Sequence, residues 1–579
     1  MSGAAGWLRG LTVSFLVGKA STPTEQHCLS DRHEDSGVSS IEGPPFWNAA
    51  SLLALLMVLA PLTIGAIGSL PMWDDAWNWL YFKEKGTDFL TGLPDRPVMG
   101  YVWTVLSLSE EAFWKFNFVA HAVLWGGFAI TAALLWKHLL PHLAHYGWVV
   151  ACITIAPFGF HVQTMLASIV LGCLLSIVLA YAAFLLVLRF VKASDAVGLG
   201  ALVVSQLLLG SAILFMEYAV SVVAVMTVLL LLPAVISPDA GERLRAYRAV
   251  FLSLVVGAMG YGAFYILAEW RSNINPGIMY THAPIAKELG LMFVVKMAQT
   301  IWQGMVGNLA LSLGEIRLTV KSGLLAAVYG VVVGGLLVVG SRAYRGMKID
   351  HGPMIGPLLL LGIALFAGLL PVIYSGRLPW NPDDGTTSRF GMPVLPIIGM
   401  LLFLVVLSLV RQRFWAVPVL LFGFAAGNTS FTEGWRFIQE RQDMASMGEA
   451  VRPHLSNKGG VTVAVVNTPW RKFGPARQWE LTSRLSADWP ASQREKFWAF
   501  RYGGNPPLTF YTEEASLLFG TRAECKIPKE ADFGTRLIQR KGPLDRFLWV
   551  ERRPNGTIAV EPFCLKDAQN FAPPSPEGR

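Results

Sequence analysis

The sequence predicts an all-α polytopic membrane domain of about eleven transmembrane helices, followed by a small C-terminal α/β domain. Three observations predict it. The 579-residue chain is 53% hydrophobic and only 15% charged, where soluble domains have about 25% charged residues. Apolar stretches of about 18 residues or more, enough to cross a bilayer, recur up to roughly residue 428. Beyond that point short β-rich runs alternate with helical spacing. The 20 Trp and 33 Phe set among aliphatic runs exclude disorder. In such a chain a formal charge of +8 bears on which side of the membrane the basic residues occupy, not on nucleic acid.

Residues 1–45 are polar and irregular around Cys28 and read as a poorly ordered cytoplasmic tail. The apolar piece 11–17 is too brief to span, and no signal-peptide cleavage pattern follows it. The spans then run 46–70, 112–138, 146–161, 164–190, 197–216, 218–237, 247–269, 319–341, 353–375, 392–410 and 413–428. With the N-terminus inside, the short cytoplasmic loops hold Arg189, Lys192, Arg243, Arg245, Arg248, Arg342, Arg345, Lys348, Arg411 and Arg413. Only Asp195, Asp239, Glu242 and Asp350 oppose them, as the positive-inside rule requires. An odd number of spans leaves 429–579 outside the cytoplasm.

That C-terminal region has helical spacing over 435–451 and a strand pattern over 461–466, ending at Asn467-Thr468-Pro469. Runs 547–551 and 557–560 flank Pro554-Asn555-Gly556, which signals a hairpin. Asn555-Gly556-Thr557 also fits a glycosylation sequon, although turn chemistry accounts for the same residues. Cys152 and Cys173 fall within helices, while Cys525 and Cys564 are the only two in the exported region, where a pair can form a disulfide.

Ionisable residues beside a membrane are costly unless used, and they collect on the outer side. The first outer loop, 71–111, reads Trp73-Asp74-Asp75-Ala76-Trp77-Asn78-Trp79 and then Pro94-Asp95-Arg96-Pro97. Interfacial Trp is expected of any membrane protein; the paired acids are not. They suit a catalytic base, with or without a metal, and one of them can equally cap the amides of a following helix. Glu217 interrupts an apolar stretch between two spans, and His161 ends the third span; a structural histidine explains the latter as well. Loop 270–318 contains Tyr280, His282 and Lys296, with an amphipathic segment over 285–310. The last outer membrane loop holds Arg377, Asp383-Asp384 and Ser388-Arg389-Phe390-Gly391-Met392-Pro393. Its two arginines either clamp a lipid-linked phosphate through paired donors or mark the interface. No Walker loop, Cys/His metal signature, nucleophile elbow or dinucleotide fingerprint occurs. Charges arranged as a midplane ion pathway are scarce, which argues against an ion-coupled transporter.

Asp74-Asp75 after the first span, Asp95-Arg96-Pro97, Glu217 at a helix break and Ser388-Arg389-Phe390…Pro393 before a late span together resemble the GT-C glycosyltransferases. The arrangement is most similar to the bacterial enzymes that use polyprenyl-phosphate sugars, and it covers about 46–428. The resemblance implies an inner-membrane enzyme that inverts the anomeric carbon as it moves a sugar from a polyprenyl-phosphate donor to an envelope glycan, lipid or protein acceptor. Asp74, Asp75 and Glu217 are then the catalytic candidates. Arg389, Arg377 and Arg96 are the donor-phosphate candidates, and Asp95, His161, Tyr280 and His282 the acceptor-side or supporting ones. The family contains metal-dependent and metal-independent members, so Mg²⁺ or Mn²⁺ on Asp74 and Asp75 stays an open alternative. The competing readings are an envelope polysaccharide polymerase or ligase, and a non-enzymatic transporter or scaffold.

If Cys525 and Cys564 pair, they close a loop of about 40 residues, worth roughly 3–4 kcal/mol on the chain-entropy model. Non-reducing peptide mass spectrometry of exported protein is expected to recover the linked peptide; two free thiols refute the pairing.

Overall fold

The computed structural model describes residues 46–67, 110–156, 168–192, 196–274, 295, 320–342, 354–374, 391–456, 460–467, 478–486, 488–501, 544–553 and 556–562. Hydrocarbon offers no water to a backbone amide, so apolar segments close their hydrogen bonds as helices. The membrane part comprises α1 (Ala49–Ile67), α2 (Glu110–Leu139), α3 (Gly147–Ile155), α4 (Ser168–Lys192), α5 (Ala196–Phe215), α6 (Ala219–Ile236), α7 (Ala240–Ile274), α8 (Val320–Arg342), α9 (Ile355–Tyr374), α10 (Leu395–Leu409) and α11 (Ala416–Val451). Among the described residues nine helices are long and apolar enough to cross a membrane, and α1 adds a shorter apolar stretch, Ala49–Pro61. This is a multi-pass membrane protein.

Two predicted spans take a different form. The third, 146–161, is in its described part the nine-residue α3, whose every residue is buried. At 1.5 Å per residue it covers about 13 Å, under half of a bilayer core. It ends at Ala156 (φ −145°, ψ 137°) because Pro157 disfavours helical backbone in the residue before it. The last, 413–428, does not stop at its polar border: α11 runs unbroken for 36 residues, about 54 Å, and absorbs the helix expected over 435–451.

The helix ends sort into two sets. Trp148 Nε1 donates to the Phe46 carbonyl (2.8 Å), and their rings stack at 5.3 Å, which joins the start of α3 to the start of α1. Lys137 Nζ sits 4.7 Å from the Phe46 ring centroid and adds the end of α2. Tyr146 meets Phe403 of α10 and Trp415, each at 5.8 Å, and Trp415 Nε1 donates to the Val410 carbonyl (2.9 Å), which adds the end of α10 and the start of α11. Arg245 Nε donates to the Val191 carbonyl (2.8 Å), joining α7 to the end of α4, and Gly340 near the end of α8 packs on Asn48 and Ser51. His138 near the end of α2 lines one groove with Arg189 and Lys192 at the end of α4, so all these termini share one end of the bundle. Lys137, Arg189, Lys192, Arg243, Arg245, Arg248, Arg411 and Arg413 lie there, so it is the basic end.

Close helix contact at α8 and α11 rests on glycine. Gly330 and Gly334 face Gly423 and Gly427, each pair one turn apart. A Cβ at Gly334 would stand 2.6 Å from the Leu420 oxygen, and one at Gly423 would stand 2.6 Å from the Gly334 Cα. Small residues let backbones approach where lipid supplies no hydrophobic drive. Helix α1 joins the pair through a proline. Pro61 has no N–H for the Met57 carbonyl; Tyr329 of α8 donates its hydroxyl to that oxygen instead, at 2.6 Å. Ser430 of α11 donates to the neighbouring Val58 carbonyl.

Beyond the bundle, α11 becomes a wall of the C-terminal domain. Its Met444, Met447 and Val451 are buried with Leu481 and Leu485 of α12 (Gln478–Leu485) and with the sheet. Gly448 packs directly on the Leu485 carbonyl. The strands β1 (Val461–Asn467), β2 (Phe497–Arg501), β3 (Leu544–Arg552) and β4 (Ile558–Pro562) lie in the order β2-β1-β3-β4. β1 is parallel to β2 and β3, and β4 is antiparallel to β3. The β3–β4 hairpin turns on Gly556 at φ +84°, a conformation glycine adopts freely. Arg552 of β3 pairs with Asp443 of α11, tying the sheet to the membrane helix.

Gly334→Leu is expected to lower the unfolding temperature in detergent markedly, because overpacking costs about 1–3 kcal/mol or more. Gly335→Leu, with nothing within 4 Å of its Cβ position, is the matched control and should change little.

Candidate functional site

Three ionisable residues lie toward the end opposite the basic one. Glu217 stands 21 residues beyond the start of α5, His121 lies 18 residues before the end of α2, and Glu433 lies 17 residues beyond the start of α11. At 1.5 Å per residue these are about 25–32 Å from the basic end, roughly one bilayer core away. His121 and Glu433 are buried, and Glu217 is half-buried.

Most residues singled out from the sequence lie outside the described residues: Asp74, Asp75, Asp95, Arg96, His161, Tyr280, His282, Arg377, Arg389, Cys525 and Cys564. The connectivity still bears on the membrane-side ones. α1, α5, α7 and α9 run away from the basic end, while α2, α4, α6, α8 and α10 run toward it. Segments 68–109, 157–167, 275–319 and 375–390 therefore each lead into a helix that starts at the far end.

Glu217 sits in the turn between α5 and α6, with its carbonyl accepting the Val220 amide at 3.0 Å. The turn is pinned from α4. Ser176 Oγ lies 2.8 Å from the Ala212 carbonyl oxygen and 3.0 Å from that of Met216, the residue before Glu217. Nearby, Tyr181 donates its hydroxyl to the Pro393 carbonyl at 2.5 Å. That bond fixes the entry to α10, directly after the segment that contains Arg389. Phe128 of α2 packs on the Tyr181 ring at 6.1 Å, so α2, α4 and the α10 entry form one corner.

His121 and Glu433 were not among the sequence candidates. His121 continues the face of Trp125 and Phe128, which are buried four and seven residues further on. An ionisable residue inside an apolar run was the available signal for it. Glu433 lies just past the predicted end of the last span at 428, in the stretch assigned to the C-terminal domain. In the structure the run 428–434 is helical and packed on α1: Ser430 bonds Val58, and Gly434 abuts Pro61. Thr432 Oγ1 and Trp435 Nε1 flank Glu433, and both are buried without a hydrogen-bond partner among the described residues. Two donors and a carboxyl group on one helical turn can orient a hydroxyl or a phosphate oxygen.

The basic end differs in kind. Burial pushes His145 down to about 4, with neighbouring His142 adding to the effect, and pushes the Tyr146 phenol up to about 12. Both are therefore neutral near pH 7, and the positive charge there belongs to lysine and arginine. Among the described residues no group of three or more His, Cys, Asp or Glu could hold a metal ion. Asp74 and Asp75, the pair considered for Mg²⁺ or Mn²⁺, lie outside that set.

No family model matches the chain, and no curated protein matches it. Solved structures resemble it across most of its length. ArnT from Cupriavidus metallidurans bound to undecaprenyl phosphate is 16% identical, over 87% of this chain and 93% of that one, with a TM-score of 0.36. The apo ArnT structure gives 14% identity and a TM-score of 0.35, over 88% and 94% of the two chains. The archaeal oligosaccharyltransferase AglB from Archaeoglobus fulgidus, in complex with an inhibitory peptide and a dolichol-phosphate, is 12% identical over 89% and 74%, with a TM-score of 0.34. Likeness at this level assigns neither activity nor ligand to this chain.

Ser176→Ala removes the hydroxyl that pins the Glu217 turn. The expected loss is about 0.6–2 kcal/mol of stability, the range for hydrogen bonds between membrane helices. Thermal unfolding in detergent measures it.

Proposed function

We propose that this protein is a membrane glycosyltransferase of the GT-C kind, working at the end of the bundle opposite its basic rim. One observation carries the reading: Glu217, His121 and Glu433 share one depth at that end, and the segment containing Asp74-Asp75 leads into α2 from the same end. The basic rim then faces the cytoplasm by the positive-inside rule, and α11 carries the C-terminal domain to the outer side of a bacterial inner membrane.

The chemistry follows from the residue types. The acceptor hydroxyl attacks the anomeric carbon of a polyprenyl-phosphate sugar; the new glycosidic bond forms as the bond to phosphate breaks, with inversion. Asp74 or Asp75 accepts the hydroxyl proton. Arg389, Arg377 or Arg96 neutralises charge developing on the departing phosphate. Glu217 assists from the α5–α6 turn, and a divalent ion on the paired aspartates is compatible with the same roles. The acceptor is an envelope glycan, lipid or protein.

Asp74→Asn and Asp75→Asn are near-isosteric. One of them is expected to slow transfer by about 10²–10⁴, the usual cost of losing a general base, with Glu217→Gln less severe. The measurement is release of polyprenyl phosphate from a panel of polyprenyl-phosphate sugars in the presence of envelope extract. Wild-type rates in both Asn variants remove this pair from the mechanism.

A further inference from the structure

Toward the basic end, α2 and α4 line a groove of about 690 Å³. Its wall is apolar, with Leu134 of α2 and Leu185 and Leu186 of α4. Thr131 at its inner part spends its hydroxyl on the Phe128 carbonyl, 2.7 Å away, and so presents no unmet polar group. The mouth is cationic through Arg189 and Lys192, and His138 lines it beside them. Arg189 and Lys192 are exposed and make no ion pair with a described carboxylate. Of the rim acids among the described residues, Asp239 accepts from the Gly241 amide and Glu242 from the Ser237 hydroxyl. From Ala182 to Lys192 the α4 face rises about 15 Å, which matches one leaflet of a bilayer core.

We propose that this groove binds an anionic glycerophospholipid of the leaflet at the basic end. An acyl chain lies along Leu134, Leu185 and Leu186, and the phosphate sits between Arg189, Lys192 and the imidazole N–H of His138. A greasy slot of one-leaflet depth fits a single chain, and cations at headgroup level select negative charge. The site is separate from the transfer site proposed above, about a bilayer core away, and stands whether or not that reading does.

The test uses the full-length protein in nanodiscs of phosphatidylcholine with or without phosphatidylglycerol, read by native mass spectrometry of the lipids retained on release. Wild type is expected to keep phosphatidylglycerol in preference to phosphatidylcholine. Arg189→Gln with Lys192→Gln should reduce that retention about 25-fold, at about fivefold for each cation. Leu185→Trp, which fills the slot and leaves the charges, should weaken it as well. Arg411→Gln with Arg413→Gln removes equal charge from the same rim outside the groove and should keep wild-type retention. Equal retention of both lipids by wild type overturns the proposal. So does wild-type retention in the Arg189/Lys192 variant, or an equal loss in the Arg411/Arg413 variant. Matching unfolding temperatures show that the variants are folded.

Discussion

The structure depends on how closely α11 can lie against its neighbours. In a bilayer the lipid tails solvate leucine as well as another helix does, so association has to come from contact and hydrogen bonding. The chain meets this by removing side chains where α8 and α11 cross. The same helix then uses Ser430 on the Val58 carbonyl, Gly434 on Pro61 and Gly448 on Leu485. Three separate surfaces thus converge on one rod. Bulk at any of these points would separate backbones, not merely displace a rotamer.

Proline in α1 shows the same economy from the other side. A missing amide in hydrocarbon leaves a carbonyl unpaired, and a tyrosine from α8 fills the gap. The defect thereby becomes a junction that specifies which helix neighbours which. The polar run 428–434 acts in a comparable way, since its hydroxyl and its glycine are what α1 recognises. Residues that look like interruptions in a hydropathy profile are here the points of attachment.

Much of this architecture was legible in the sequence, for a physical reason. Long apolar runs and basic loops are properties of single segments, and they mark α4 to α10 to within a few residues, apart from the longer α7. The β3–β4 hairpin was equally local, because Gly556 supplies the positive φ of the turn. What the sequence concealed depends on partners. Nothing in 428–434 announces that its polar atoms will be buried against α1, so α11 was divided in two. The shortness of α3 follows from Pro157, which a hydropathy window averages away. Glu217 was visible because it breaks an apolar run at a helix junction. His121 was overlooked as a single residue in a long span, and Glu433 because the last span was ended at residue 428. The paired aspartates and the arginines were read from residue chemistry alone, and they carry the mechanism as a proposal.

The unbroken passage of α11 from membrane to sheet has a mechanical meaning. Each residue of an α-helix advances 1.5 Å and turns about 100°, so the C-terminal domain is mounted on a shaft with a defined phase. One residue added between Trp435 and Asp443 would swing the sheet by about 100° around the α11 axis while lifting it hardly at all. The number of residues in that stretch therefore sets which side of the bundle the domain overhangs. Torsion applied to the domain would likewise be felt at the glycine crossing deep in the bilayer.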